Sequence, residues 1–258
     1  RQRLLGVMYA SGSGMPQDFG EAVKWYRKAA EQGFATSQSN LGSMYANGRG
    51  VPRNDDEARK WYRKAAEQGN AMGQHNLAFM YANGKGVPQD DAEAVRWYRM
   101  AAEQGFASAQ HSLAVMYDNG KGVPQDFAKA MGWYRAAAAQ GFAMAQYNLG
   151  AMYANGKGVQ QDDAEAVRWY RMAAEQGIAS AQYTVGGRYA NGKGVPQDDA
   201  EAARWFSRAA EQGNAVAQFY LGFMYASGRG VPQDFVQAYM WTHLASAHLE
   251  SDVQRETA

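Results

Sequence analysis

Two kinds of amphipathic segment alternate along the chain, separated by short loops rich in glycine and polar residues. In the first kind, apolar and small residues recur at spacings of three and four, which places them on one side of a helix. One copy of this stripe consists of Ala107, Gln110, Leu113, Ala114 and Tyr117. We call this segment helix A and predict that it ends at Asn119 and Gly120, because glycine takes the left-handed cap conformation without steric cost.

The second kind of segment, which we call helix B, follows a loop whose proline fixes the backbone entering the helix. Asp90 and Glu93 form an acidic capping-box pattern at its start, and Gly105 ends it. Glu93 and Arg96 are expected to pair on the solvated side. The buried stripe of this helix is predicted to comprise Ala94, Trp97, Tyr98, Ala101 and Ala102.

The pair of helices recurs with a constant period. The seven tryptophans lie 36 residues apart without insertion or deletion, at Trp25, Trp61, Trp97, Trp133, Trp169, Trp205 and Trp241. A fixed period of about 20 to 50 residues is the signature of a stacked array, in which each unit buries its apolar face on its neighbours. We therefore predict a single all-α domain over residues 1–258, a solenoid of seven 36-residue helix-loop-helix repeats.

The two ends of the array depart from this pattern. The chain begins at Arg1 inside a repeat, so the first repeat is truncated at its N-terminus, and we expect a further segment before it. Leu249 stands where the other B helices have their terminal glycine, and an apolar stretch from Tyr239 replaces the charged face. We predict that the last helix runs longer, or that residues 251–258 form a capping element or a truncated eighth unit.

The loop sequence YANGKGVPQD, which begins at Tyr81, places two glycines around a lysine and invites comparison with phosphate-binding loops. It has no Ser or Thr after the lysine and no GxxxxGK spacing. We therefore interpret its glycines as the end of helix A, and its proline and aspartate as the start of helix B. The basic residues of successive loops form a row, and a neighbouring row of Asp is expected to neutralise most of its charge.

Composition narrows the range of partners. With 26 basic and 25 acidic side chains the net charge is +1, so no overall field favours nucleic acid or anionic lipid. The chain has no cysteine, and no apolar run approaches the ~18 to 20 residues of a membrane span. His75 and His111 lack the further ligands that a metal site needs. The sequence thus predicts no nucleic-acid partner, no membrane insertion, no metal and no cofactor.

The loop motif LGxMYxxGxGVPQD and the helix motif AxxWYRKAAEQG, repeated every 36 residues, resemble Sel1-like repeats, the relatives of tetratricopeptide repeats. In one unit the matching positions are Leu41, Gly42, Met44, Tyr45, Gly48, Gly50, Val51, Pro52, Ala58, Trp61, Tyr62, Ala65, Ala66 and Gly69. The resemblance covers essentially the whole chain. It implies a right-handed α/α superhelix with helix A on the concave side, acting as an adaptor or scaffold in bacterial signalling, envelope and host-contact complexes. It also favours a periplasmic or exported protein.

Two columns of helix A positions vary from repeat to repeat and face away from the buried stripe, with a third column, often asparagine, beside them. Rigid aromatic side chains are typical binding anchors, and asparagine amides can hold a peptide backbone. We therefore predict that a monomeric chain binds a partner protein or an extended peptide along the concave helix A surface. The candidate partner-binding residues are Asn40, His75, Asn76, Phe79, His111, Val115, Tyr147, Asn148, Tyr183, Phe219, Tyr220 and Phe223.

Several alternatives stay open. The aromatic columns could have a purely structural role and fill gaps between neighbouring A helices, with the asparagines bonded within the stack. Alternatively, the groove could bind cell-wall glycan or peptide.

The resemblance also suggests a hydrolase, since cysteine-rich Sel1-like proteins are associated with penicillin binding and β-lactamase-like activity. This chain has neither the cysteines nor SxxK, SDN and KTG elements. At Arg188, where other copies have Met, we favour a local bend of the stack over an arginine that reaches the groove as an anchor for an anion or carboxylate.

Overall fold

Helices make up most of the part of the chain that the structure describes, residues 1–256. In this computed structural model those residues form fourteen helices and no strand, and side chains are described as far as His248. In chain order the helices are α1 (Gln2–Ser11), α2 (Phe19–Glu31), α3 (Ala35–Asn47), α4 (Asp55–Glu67), α5 (Ala71–Asn83), α6 (Asp91–Glu103), α7 (Ala107–Asn119), α8 (Phe127–Ala139), α9 (Ala143–Asn155), α10 (Asp163–Glu175), α11 (Ala179–Asn191), α12 (Asp199–Glu211), α13 (Ala215–Ser227) and α14 (Phe235–Glu256). Odd-numbered helices are A helices and even-numbered ones are B helices, which confirms the predicted all-α fold of seven helix-loop-helix repeats.

The helices group into two compact units, residues 1–137 and residues from 138 onward, with the boundary inside α8. Within the first unit each helix from α1 to α6 packs on the next helix along the chain, and within the second unit each helix from α9 to α13 does the same. The single domain over 1–258 stays a prediction.

None of the described helices has the length and apolar character needed to cross a bilayer. The last helix, α14, extends to Glu256 and has 22 residues against 13 in α12, as expected for a longer final helix.

Hydrogen bonds at the loop ends fix where the helices begin and end. Gly120 caps α7 in the left-handed conformation, with φ 67°, and its N–H donates to the carbonyl of Met116. At the start of α6 the side chain of Asp90 accepts a hydrogen bond from the Glu93 N–H at 2.9 Å. The reciprocal arm of the capping box is absent here, because the Asp90 N–H donates to the carbonyl of Tyr81 at 3.0 Å. This bond ties the end of helix A directly to the start of helix B.

The second glycine of the loop has a different role from the first. Gly122 has a φ of 67°, and a Cβ on it would lie 2.2 Å from the backbone oxygen of Asp91 in the preceding repeat. Gly230 stands in the same relation to Asp199, at 2.0 Å. Only a residue without a side chain allows this approach. The sequence interpretation of both glycines as helix terminators therefore holds only for the first one.

Helix B supplies the large central side chains of the core, and helix A supplies small residues that lie against them. Tyr98 and Tyr134 are 4% and 1% exposed. A Cβ on Gly42 would lie 2.7 Å from the ring of Tyr62, so the backbone of helix A lies directly on the tyrosine. This close approach accounts for a small residue at the position in every repeat.

The tryptophans of helix B lie at the edge of the core. Trp97 and Trp205 are buried, whereas Trp25 and Trp61 are half-buried. A cation covers part of the ring, as Lys64 does with its Nζ 4.5 Å from the Trp61 ring centroid. The predicted burial of Trp97 is therefore confirmed, whereas the equivalent Trp25 and Trp61 of other repeats are only half-buried.

A buried glutamine near the start of helix A links three helices. Gln182 is 5% exposed, its Nε2 donates to the carbonyl of Ala174 at 3.1 Å, and its Oε1 accepts from Gln212 at 2.7 Å. Gln38 and Gln74 form the same pair of bonds in the first unit. Because both ends of the amide find partners, its burial fixes the register between successive repeats at little cost.

Replacing the second loop glycine is expected to destabilise the chain more than replacing a glycine that only requires a positive φ. Gly122→Ala drives a Cβ into a backbone oxygen, whereas at Gly105, with φ 85°, a Cβ meets nothing within 4 Å. We expect the free energy of unfolding to fall by about 1–2 kcal/mol in Gly105→Ala, and by at least about 2 kcal/mol more in Gly122→Ala. Urea unfolding followed by circular dichroism measures both variants. Equal losses would contradict the close backbone contact.

Candidate functional site

The candidate residues on the A helices divide into an exposed and a half-buried set. The exposed set, which we call the exposed aromatics, consists of Phe79 at 43%, Phe219 at 55%, Tyr220 at 43% and Phe223 at 52% exposure. The half-buried set consists of Asn40, His75, Asn76, His111, Val115, Tyr147, Asn148 and Tyr183. Three of the four exposed aromatics lie within two turns of α13, so the second unit carries a contiguous aromatic surface.

The half-buried rings pack on the core aromatic residue of helix B in their own repeat. The centroid distances are 5.5 Å for His75 and Tyr98, 5.8 Å for His111 and Tyr134, 5.4 Å for Tyr147 and Tyr170, and 5.9 Å for Tyr183 and Phe206. One contact joins neighbouring A helices, between Tyr183 and Tyr220 at 6.0 Å. These rings therefore support the core as well as lining the helix A face.

The third column of helix A positions, which is often asparagine, forms some of its hydrogen bonds with core side chains of helix B. Asn40 forms a hydrogen bond with the side chain of Tyr26, and Ser112 does so with Tyr98. Burial raises the pKa of Tyr98 to about 12, and its hydrogen bond with Ser112 opposes this rise. In these repeats the column provides hydrogen-bond partners for the buried tyrosine hydroxyl groups. This agrees with the alternative that these side chains are bonded within the stack.

His75 and His111, which belong to the half-buried rings, are neutral at physiological pH. Burial lowers the pKa of His75, against the opposing effect of its hydrogen bond with Asn76. Burial lowers the pKa of His111 to about 4, with repulsion from His75 adding to the effect. Within the described residues, no three side chains of the metal-binding types are grouped so that they could hold an ion.

A pocket of about 220 Å³ opens between α11, α12 and α13 in the second unit. Tyr183, Phe206, Tyr220 and Phe223 form its aromatic walls. Tyr220 lies nearly parallel to Phe206, with 5.4 Å between the ring centroids. Asn191, Asp199 and Arg229 form its polar rim. The pocket thus combines several aromatic faces with one carboxylate.

The carboxylate at the rim is part of an ion pair between repeats. Arg229 in the last loop donates two hydrogen bonds to Asp199, at 3.1 and 2.7 Å. These bonds lower the pKa of Asp199, so the group is ionised at neutral pH. Lys193 lies 3.8 Å from Asp163 in the same relation one repeat earlier. At these two junctions an Asp at the first position of helix B neutralises the basic residue of the following loop.

The first unit has a pocket at the equivalent sequence positions, between α3, α4 and α5, with a volume of about 320 Å³. Phe79 and Asp55 line it, but Asn76 replaces one of the aromatic walls. Arg53 donates two hydrogen bonds to Asp55, at 3.2 and 2.8 Å, and Lys85 also lowers the pKa of this carboxyl group. The pocket in the first unit is therefore more polar than the pocket in the second unit, and it has two basic side chains where the other has one.

Arg188 fills the corresponding position between the fifth and sixth repeats. Its guanidinium group donates to Asp163 and lies 5.7 Å from the ring centroid of Tyr170, and its side chain is 13% exposed. The helix α11 runs unbroken from Ala179 to Asn191. The arginine is therefore paired within the chain instead of being aimed at an external anion, and the favoured hypothesis of a local bend of the stack stays a prediction.

Sequence reasoning missed the pocket residues Asn191, Asp199 and Arg229. The signal that could have found the ion pair is an Asp at the first position of helix B and a basic loop residue 30 positions later. The same offset joins Asp163 to Lys193 and Asp55 to Lys85.

The sequence matches the family model of the Sel1 repeat over seven consecutive segments, residues 2–34, 35–70, 71–106, 107–142, 143–178, 179–214 and 215–248. Curated proteins gave no match to the sequence.

Two solved structures share 40% sequence identity with the chain. A protective antigen present in uropathogenic Escherichia coli strains, which displays an SLR fold, has a TM-score of 0.88 over 97% of this chain and 54% of its own. A Sel1 repeat protein from Oxalobacter formigenes has a TM-score of 0.81 over 100% of this chain and 75% of its own. The chain therefore spans about half of the E. coli protein. An immunity protein from Pseudomonas aeruginosa, 22% identical with a TM-score of 0.55 over 84% of this chain and 82% of its own, shows the same fold only.

The buried histidine His111 makes stability depend on pH. In the unfolded chain a histidine has a pKa of about 6.5, and in the folded chain that of His111 is about 4. Between these values the unfolded state binds the additional proton, so the free energy of unfolding falls as the pH falls from about 6.5 to 4, by about 1–3 kcal/mol from this group.

His111→Tyr supplies the matched control, because the same column holds tyrosine in Tyr147 and Tyr183. Urea unfolding of both proteins at pH 7.5 and pH 4.5 separates the histidine from the carboxyl groups, which titrate in both. We expect the wild-type chain to lose more stability than the variant. Equal losses would show that His111 is protonated in the folded chain as readily as in the unfolded one.

Proposed function

Because this chain belongs to the Sel1 repeat family, we propose that it is a non-enzymatic scaffold that binds a partner protein or extended peptide through the A helices. Proteins of this family typically act through protein–protein contacts. The observation that carries the proposal is the set of exposed aromatics, each 43% to 55% exposed at positions that vary between repeats.

Aromatic side chains on a rigid surface are efficient binding anchors, because they bury a large area and lose little conformational entropy. Here Phe219, Tyr220 and Phe223 project from α13, whose own position is held by the core residues Leu221 and Met224. The neighbouring ring of Tyr183 supports Tyr220 from α11. The surface is therefore largely organised before a partner arrives.

The half-buried candidates take a supporting part in the same surface. His75, His111, Tyr147 and Tyr183 hold the helix A face against helix B and present only their outer edges. Asparagines such as Asn76 offer amide groups at the edge of the face. We propose that the exposed aromatics supply most of the affinity and that the half-buried residues shape the surface.

The proposal is tested by affinity capture from extract of the source cell with two triple variants. The first combines Phe79→Ser, Phe219→Ser and Phe223→Ser. The second combines Met100→Ser, Met144→Ser and Met172→Ser, which removes apolar side chains of 39% to 43% exposure elsewhere on the surface. We expect a protein retained by the wild-type chain and by the methionine variant to be lost by the phenylalanine variant.

Several results would contradict the proposal. Retention of the same protein by the phenylalanine variant would place the site away from the exposed aromatics, and equal loss from both variants would indicate non-specific apolar adhesion. Saturable binding to purified cell-wall material, with no protein retained, would favour a glycan ligand. Hydrolysis of a chromogenic β-lactam above a heat-killed control would show an enzyme. Circular dichroism of each variant confirms that the fold is kept.

A further inference from the structure

The pocket between the sixth and seventh repeats has the chemistry of a receptor for one positively charged side chain. Its volume of about 220 Å³ lies below the ~300–1,000 Å³ of small-molecule sites. Three of its rings, Tyr183, Phe206 and Tyr220, lie within 5.4 to 6.0 Å of one another. Faces of aromatic rings attract cations, and a carboxylate at the rim adds a charged acceptor.

The chain itself shows which side chain fits such a pocket. One repeat earlier, Arg188 occupies the corresponding place, with its guanidinium group on Asp163 and 5.7 Å from the centroid of the Tyr170 ring. Asp199 and Phe206 stand 36 positions after these two contact residues. In the last repeat Met224 stands at the position of the arginine, and an open pocket lies beside it, lined by Asp199 and Phe206 among others.

The ion pair already present at Asp199 uses one acceptor site on each carboxylate oxygen, so each oxygen retains a further site for a second cation. One repeat earlier, Oδ1 of Asp163 accepts from Arg188 and also lies 3.8 Å from Lys193, the counterpart of Arg229. A carboxylate at this position therefore serves an arginine inside the pocket and a basic loop residue at its rim together. An ionised carboxylate has about four acceptor sites, which allows this double use.

We infer that the pocket lined by Phe206, Tyr220, Phe223 and Asp199 binds an arginine side chain of the partner, with the guanidinium group on the aromatic faces and the carboxylate. The inference rests on the proposed scaffold function, since the arginine belongs to the bound protein. It also gives the partner a stated chemistry: a segment with an accessible arginine beside residues that contact the exposed aromatics.

The pocket in the first unit differs in the features that matter here. Its carboxylate, on Asp55, already has Arg53 and Lys85 beside it, and Asn76 replaces the aromatic wall that Tyr220 provides. We expect it to bind arginine less well. Met80, which lines this pocket as Met224 lines the other, provides an internal reference signal.

The test titrates N-acetyl-arginine amide into the full chain labelled at its methionine methyl groups, and follows the Met224 and Met80 signals by NMR. N-acetyl-citrulline amide, which has nearly the same shape without the charge, is the control ligand. We expect a saturable shift at Met224 larger than that at Met80, and a dissociation constant at least ~10-fold lower for the arginine probe than for the citrulline probe.

Two reciprocal variants exchange the arginine of position 188 and the methionine of position 224, which stand at the same place in successive repeats. Met224→Arg copies the arrangement at Arg188 and is expected to fill the pocket from within. Because it removes the methionine reporter, this variant and the wild-type chain are also labelled at their tyrosine rings, and the signals of Tyr183 and Tyr220 are expected to respond to the arginine probe in the wild-type chain only. Arg188→Met is expected to open a new pocket beside Asp163 and Tyr170, in which the introduced methyl group responds to the probe. Equal affinity for the two probes, an undiminished response in Met224→Arg, or no response at the new pocket would each overturn the inference.

The outcome is separable from that of the scaffold proposal. If the partner captured by the wild-type chain is captured equally by a folded Met224→Arg variant, the scaffold stands and the arginine pocket is wrong. If the wild-type chain captures no protein, the scaffold proposal fails, while the probe titration still decides whether the pocket recognises arginine.

Discussion

The repeats are spaced by a contact between backbone atoms. At Gly230 the loop of one repeat lies against the first turn of the preceding helix B so closely that a Cβ would stand 2.0 Å from the Asp199 oxygen. Side chains can repack around a substitution, but two backbone segments in contact cannot, so this distance is fixed. It also brings the neighbouring Arg229 to Asp199 and Val231 against the core of the repeat before. The junction pocket and its ion pair both depend on this approach.

With the spacing fixed, the glutamines set the register and the helix A face becomes tolerant of change. Gln182 bonds to the preceding helix B on one side and to Gln212 on the other, through groups that recur in both units. The residues that vary lie on the other side of helix A, where a histidine or a tyrosine can pack on the same core ring, as His111 and Tyr147 do. The framework and the variable surface are therefore carried by different faces of one helix.

One helix A position then changes the character of each junction. Arg188 pairs with Asp163 within the chain. At the same helix A position, Met80 and Met224 line pockets that also contain Asp55 and Asp199, respectively. What surrounds the opening differs as well, with aromatic walls in the second unit and polar ones in the first. A repeat protein of nearly uniform sequence thereby acquires distinct sites from a few substitutions.

The sequence by itself determined the period, the helix type, the caps and the exposed positions of Phe79 and Phe219, because these follow from local spacing repeated seven times. It did not determine that the second loop glycine contacts the previous repeat, or that His111 is half-buried on Tyr134. Nor did it show that Arg188 pairs with Asp163. Each of these depends on distances between different helices. Such distances are set by how the backbones and side chains pack, and a helical pattern gives the direction of a side chain but not what it meets.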